Sequence, residues 1–113
     1  MALNISSRVV DGVTVVDVEG RIVLGEEASS LRDAVKDLLK LTKKIVLNLK
    51  GVGYIDSGGL GVLVSIHTSS HNQQASVKLT HLTPKVDTLL QVTKLLTVFD
   101  VYATEEEALK SFA

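Results

Sequence analysis

The chain has 113 residues, 45% of them hydrophobic and 22% charged, which fits one globular domain, residues 1–113, rather than a disordered segment. The net charge of −1 argues against a nucleic-acid-binding protein, and the absence of cysteine excludes disulfides, thiol nucleophiles and thiolate metal sites. No apolar run could span a bilayer and the N-terminus lacks signal-peptide features, so we expect a cytoplasmic protein without membrane insertion.

The chain opens with two runs rich in β-branched residues, residues 5–10 and 13–18. Asp11 and Gly12 separate the runs, and this pair favours the type I′ turn of a two-residue hairpin because both positions tolerate a positive φ. Acidic residues alternate with valines in the second run: Asp17 and Glu19. We therefore predict an antiparallel hairpin whose second strand has one solvated face.

A connector, residues 20–25, with an apolar middle leads to the first helix. Glu26 and Glu27 suit the positive end of a helix. Apolar residues then recur at helical spacing: Ala28, Leu31, Val35, Leu38 and Leu39. The lysines that follow, Lys36, Lys40, Lys43 and Lys44, are interpreted as the solvated far end of this helix.

A buried strand is predicted over residues 45–49, a short apolar run interrupted afterwards by Gly51 and Gly53. Residues 56–59 then lie where the exit loop of this strand would lead into a helix. Residues 60–66 are apolar on nearly all sides, so we expect this helix to be deeply buried.

The next strand and helix follow a polar stretch, residues 69–74, that closes the buried helix. Apolar residues mark the strand: Val77, Leu79 and Leu82. Thr83 and Pro84 indicate a helix start, because threonine caps and proline at the first helical position loses no intrahelical bond. Residues facing inward from this helix are Val86, Leu89 and Leu90.

A last strand is predicted over residues 98–102, followed by a helix whose Thr104 and Glu107 have capping-box spacing. This helix should bury Ala108, Leu109 and Phe112. Alternating strands and helices require crossovers, and these are right-handed and give parallel neighbours. The predicted fold is α/β: a mixed sheet of about four or five strands, an N-terminal hairpin followed by βα units, with about four helices packed against it.

The junction between the central strand and the buried helix is the candidate site. Asp56 or Ser57 could cap the orphan N–H groups of the helix start. Gly58 and Gly59 have no Cβ, so their N–H groups would be open to close approach by an anion, which the helix dipole favours. The junction could hold a phosphate, bound or covalently attached to Ser57, or it could be an ordinary N-cap. Both interpretations stay open on these residues alone.

No catalytic or metal-binding constellation is evident. His67 and His71 lie one helical turn apart, but no third metal ligand is evident nearby. Ser57 is not in a Gly-x-Ser-x-Gly elbow, and neither phosphate-loop nor dinucleotide-binding glycine patterns occur. We expect a non-enzymatic protein without a cofactor or metal.

The central residues resemble the STAS domain, the fold of anti-sigma factor antagonists. The similarity is carried by residues 45–49 and by the run Ile-Asp-Ser-Gly-Gly-Leu-Gly at residues 55–61. It extends along nearly the whole chain, through the opening hairpin, Gly20 before the first helix, and the late helix start at residues 83–86.

This resemblance implies a protein–protein switch. In such antagonists an anti-sigma factor that is also a serine/threonine kinase phosphorylates the serine after the aspartate, here Ser57. The unmodified antagonist binds the anti-sigma factor, phosphorylation blocks that binding, and a phosphatase restores it. The implied partner-binding residues are Asp56, Ser57, Gly58, Gly59, Leu60 and Gly25.

Two positions depart from the family pattern. Val23 stands where many antagonists carry an aspartate, and Gly58 stands where serine is common. Val23 motivates an alternative, an unmodified STAS scaffold module that docks a larger signalling or transport-associated complex. A further alternative is a small-ligand binder with a nucleotide phosphate on Gly58 and Gly59.

Overall fold

A computed structural model describes residues 3–112 as five strands and four helices in the predicted order. The strands are β1 (Asn4–Val10), β2 (Val13–Ile22), β3 (Lys44–Ile55), β4 (Ser76–Thr80) and β5 (Asp100–Tyr102). The helices are α1 (Glu26–Leu39), α2 (Ser57–Asn72), α3 (Pro84–Val92) and α4 (Glu105–Lys110). Within the described residues, no helix is both long enough and apolar enough to cross a membrane.

The strands form a single mixed sheet in the order β1-β2-β3-β4-β5. β1 and β2 pair antiparallel, and every other neighbouring pair is parallel. Asp11 and Gly12 have φ values of 52° and 78°, the positive values that a type I′ turn requires. The predicted hairpin and mixed sheet are confirmed.

Two apolar layers lie on opposite faces of the sheet. Leu47 packs with residues of the first three helices, among them Leu31, Leu63 and Leu90. Its neighbour Val46 points to the other face and packs near Ala108 of α4. Both faces of the central strands are therefore covered over part of their length, as in other buried parallel sheets.

The prediction that one face of β2 is solvated is correct for only half of the strand. Because α4 covers the second face, the first four residues of β2 are all buried. Asp17 is half-buried and bonded to Arg8 of β1, whereas Glu19 is exposed. The alternation in the sequence identified the polar residues but could not show where the last helix would lie.

Two predicted strand ends are wrong, because β3 runs through its glycines to Ile55 and β2 runs on to Ile22. The Gly51 backbone lies close to β2: a Cβ there would be 2.6 Å from Cγ of Glu19 and 2.9 Å from the carbonyl oxygen of Val18. Irregular register between the two strands accompanies this close approach. Gly51 thus permits strand pairing rather than ending it.

The last two strands are shorter than predicted. β4 ends at Thr80, so Leu82 lies outside it. β5 begins at Asp100, and Val98 precedes it with 41% of its surface exposed. In both cases an apolar residue next to the strand extends the predicted range beyond the residues that pair in the sheet.

Helix starts follow the prediction in part. Thr104 accepts a hydrogen bond from the N–H of Glu107 at 3.2 Å, which confirms the cap of α4. Pro84 is the first residue of α3, as predicted. The Thr83 hydroxyl does not cap α3, however; it donates to the carbonyl oxygen of Val52 at 2.6 Å and ties the helix start to β3.

The central helix is less buried than predicted. It begins at Ser57, so the expected loop over residues 56–59 shrinks to Asp56 alone. One face is buried, but Ser57, Gly61 and Ser65 are exposed. Small residues mask this amphipathic character, because they lower the polarity of the exposed face.

Candidate functional site at the start of α2

The site lies where β2 and β3, parallel neighbours in the sheet, end side by side. Ile22 and Ile55 are paired in register, and each begins a connection to a helix. Residues 23–25 lead to α1, and Asp56 alone leads to α2. The two helix starts therefore meet at the carboxyl edge of the sheet, where sites in α/β folds commonly lie.

Asp56 is the N-cap of α2. Its backbone is extended, and its carboxylate accepts a hydrogen bond from the N–H of Gly59 at 2.8 Å. This is the bond by which a capping aspartate satisfies an orphan donor. The sequence left open whether Asp56 or Ser57 would cap; the structure assigns the role to Asp56.

The same carboxylate holds the connector to α1. The N–H of Leu24 donates to both carboxylate oxygens of Asp56, at 3.2 and 3.1 Å. The N–H of Asp56 donates in turn to the carbonyl oxygen of Ile22 at 3.3 Å. The hydrogen bond from the N–H of Gly59, and to a smaller extent those from the N–H of Leu24, lower the pKa of Asp56. The carboxylate is therefore ionised at neutral pH.

Ser57 occupies the first position of α2 and is exposed to solvent. Within residues 3–112, its hydroxyl makes no hydrogen bond, since the capping bond is taken by Asp56. An exposed hydroxyl of this kind is accessible to a kinase or to a docked protein. An added phosphate would lie at the positive end of the helix dipole.

The glycines after Ser57 serve packing rather than an open anion cradle. A Cβ on Gly59 would overlap the carbonyl oxygen of Ile22, so α2 starts in direct backbone contact with β2. A Cβ on Gly58 would be 2.6 Å from Cβ of Leu24. Because the N–H of Gly59 is already bonded to Asp56, a bound nucleotide phosphate would lose one of its two expected donors.

The two remaining predicted contact residues differ in accessibility. Gly25 is exposed at the start of α1, with a φ of 112° that favours glycine. Leu60 is only 7% exposed and packs in the core, so its side chain is not on the surface. The structure thus brings Gly25 beside the α2 start and places Leu60 beneath it.

Sequence reasoning missed Leu24. Its side chain is 77% exposed, and it lies against the first turn of α2. In the sequence it was one of several apolar residues in a connector, and periodicity gave no means to separate the buried Ile22 from the exposed Leu24. The hydrogen bonds to Asp56 that set its position link residues far apart in the chain.

The three histidines lie away from this site and have structural contacts. His67 stacks on His71, with ring centroids 6.4 Å apart, and meets the edge of Phe99 at 5.6 Å. Nε2 of His81 accepts a hydrogen bond from the N–H of Glu105 at 3.3 Å. Across residues 3–112, no cluster of acidic and histidine side chains is arranged to hold a metal ion.

Comparisons with known proteins converge on one family. The family model of the STAS domain matches residues 4–108. The anti-sigma-B factor antagonist of Bacillus subtilis is 29% identical over 106 residues, covering 94% of this chain and 96% of that protein.

Solved structures agree with this match. A candidate anti-sigma factor antagonist from Thermotoga maritima is 29% identical, with a TM-score of 0.86 over 95% of this chain and 92% of that one. The phosphorylated form of the Bacillus cell fate determinant SpoIIAA has a TM-score of 0.71 at 18% identity, covering 98% of this chain and 99% of that one. At 18% identity, the similarity to SpoIIAA shows a shared fold and nothing more.

Proposed function

This chain belongs to the STAS domain family, and we propose that it is an anti-sigma factor antagonist controlled by phosphorylation of Ser57. The observation that carries the proposal is the exposed Ser57 hydroxyl at the first position of α2, directly after the capping aspartate. The similarity to the Bacillus subtilis antagonist along 94% of the chain supports it.

The unmodified protein binds the anti-sigma factor through the surface around Ser57. Phosphorylation adds about −1.5 to −2 charges and the bulk of a phosphate. The helix dipole accommodates these charges, so the fold stays intact. A partner packed on the site would instead bury these charges beside the ionised Asp56, away from water, and this desolvation and like-charge repulsion would oppose binding.

The partners are an anti-sigma factor with serine/threonine kinase activity and a phosphatase that reverses the modification. The protein acts in the cytoplasm, by binding rather than catalysis, and does not contact nucleic acid itself. Its near-neutral net charge of −1 supports that last point.

Phosphorylation mapping tests the proposal. Each kinase-type anti-sigma factor of the source organism is purified and incubated with the protein and ATP, and modified peptides are located by mass spectrometry. We expect one phosphate on Ser57 and none on the Ser57→Ala variant. Ser65→Ala is the matched control, because Ser65 is exposed on the same helix. Phosphate elsewhere, or unchanged modification of Ser57→Ala, contradicts the proposal.

The alternative function is an unmodified scaffold module in a larger signalling or transport-associated complex. Val23, in place of the usual aspartate, favours it. A pull-down with the unmodified protein and with Ser57→Asp separates the two functions: stable binding of a partner that never modifies Ser57, and that Ser57→Asp does not weaken, supports the scaffold.

A further inference from the structure

The surface around Ser57 contains one apolar side chain that projects into solvent. Leu24 is 77% exposed, although it follows directly on the half-buried Val23 and the buried Ile22. A single exposed leucine is ordinary on a protein surface. The position of Leu24 is unusual because the backbone that carries it is bonded to the α2 start.

Three hydrogen bonds hold the peptide group that joins Val23 to Leu24. Its N–H is shared between both oxygens of the Asp56 carboxylate, at 3.2 and 3.1 Å. On the helix side, the N–H of Ala28 donates to the carbonyl oxygen of Val23 at 3.1 Å. The peptide group between Val23 and Leu24 is thus bonded to the starts of both α2 and α1, and this fixed backbone directs Leu24 outward.

Gly58 completes the arrangement. A Cβ at that position would be 2.6 Å from Cβ, 2.8 Å from Cδ1 and 3.0 Å from Cα of Leu24. These distances are shorter than van der Waals contact, so any larger residue would push Leu24 away from α2. The departure of Gly58 from the serine common in the family therefore matches the place that Leu24 occupies in this chain.

We infer that Leu24 is the apolar anchor of the partner interface and inserts into an apolar pocket of the anti-sigma factor. The inference rests on the proposed function and extends it. Because hydrogen bonds already fix the backbone of Leu24, binding costs little backbone conformational entropy at this residue. Its neighbours, Gly25, Ser57 and Gly58, have small or no side chains, so a partner can close around it and exclude water.

This arrangement also explains why a phosphate on Ser57 would be effective. The partner surface that receives Leu24 has to exclude water next to α2, and a phosphate there would stay buried and unpaired. Apolar contact and new charge would compete for the same small area.

Calorimetric binding of the anti-sigma kinase that modifies Ser57 tests the inference. Leu24→Ala should bind about 30- to 100-fold more weakly than the unmodified protein. Leu41→Ala is the matched control, since Leu41 is 84% exposed and lies just beyond the C-terminal end of α1, and the affinity of this variant should not change. Both variants should keep the melting temperature, because neither side chain is buried.

A double-mutant cycle examines the role of Gly58. Gly58→Ala should weaken binding when Leu24 is present. In the Leu24→Ala background the new methyl group still meets Cβ of residue 24, but no anchor is left to displace, so the further loss of affinity should be much smaller. If Leu24→Ala binds as well as the original protein while phosphorylation of Ser57 still blocks binding, the inference is wrong and the proposed function stands. If the unmodified protein itself does not bind, both fail. A dimer of this chain that Leu24→Ala dissociates would assign Leu24 to self-association and overturn the inference.

Discussion

At the scale of single residues, the site depends on the missing Cβ atoms of Gly58 and Gly59 as much as on the carboxylate of Asp56. Gly59 lets α2 begin against the carbonyl oxygen of Ile22, and Gly58 leaves room for Leu24. Asp56 then joins both connections with one carboxylate. Ser57 has no part in this framework, which leaves its hydroxyl available for modification.

Gly59→Ala should destabilise the protein by about 3 kcal/mol, because the new methyl group would overlap the Ile22 carbonyl and a backbone cannot yield as a side chain does. The measurement is the free energy of unfolding in urea. Gly61→Ala is the control: a Cβ there has nothing within 4 Å, so better helix propensity should stabilise by up to about 1 kcal/mol. Equal effects of the two substitutions would contradict the packing described.

Residue-level prediction succeeded where local chemistry decides. The preference of aspartate for helix starts made Asp56 and Ser57 recognisable in the sequence. The exposure of Leu24 and the burial of Gly59 depend on how two connections meet at the sheet edge. No pattern within either segment contains that information.

At the scale of elements, α4 and the β1–β2 hairpin are joined by a polar network on the outer face of the sheet. Arg8 donates to Asp17 at 2.8 Å and to Glu105 at 3.0 Å. Asn48 of β3 donates to the same Glu105 carboxylate at 3.2 Å. Arg8 and Glu105 thus link three strands and one helix.

The pKa of Glu105 lies below its ordinary value of 4.5, chiefly because of the hydrogen bond from Arg8. A lowered folded-state pKa means that stability is present above the unfolded-state pKa and is lost as pH falls through the folded-state value. Glu105→Gln should therefore lose about 1 kcal/mol at neutral pH and show a smaller further loss below about pH 4.5.

Chemical denaturation at neutral and acidic pH measures this difference. Glu106→Gln is the control, because its pair with Lys110 is largely exposed and should contribute almost nothing. If Glu105→Gln loses stability in acid as steeply as the original protein, Glu105 does not account for the pH dependence.

The elements that the sequence predicts correctly are those with a local signal. The hairpin turn, the α1 stripe and the α4 cap were correct because each has a local signal. The ends of β2 and β3 were not, because Gly51 acts through contact with a neighbouring strand. Likewise, the Thr83 hydroxyl does not cap α3 as expected, because it donates to the carbonyl oxygen of Val52, which lies beside it only in the folded sheet.

At the scale of the whole molecule, the sheet is covered on one face by three helices and on part of the other by α4. The start of α2 lies at the rim of this body, with Ser57 outside both cores. Charge added at Ser57 therefore should not alter packing, and its effect should appear only where another protein covers the rim. The element order predicted this architecture, while the layer formed by α4 required the structure.

The most direct test of the switch is the affinity of the cognate anti-sigma kinase for the unmodified protein and for the same protein phosphorylated on Ser57. We expect phosphorylation to weaken binding by at least about 100-fold, while the amide NMR spectrum changes only around residues 22–25 and 56–61. Equal affinities of the two forms would contradict the account.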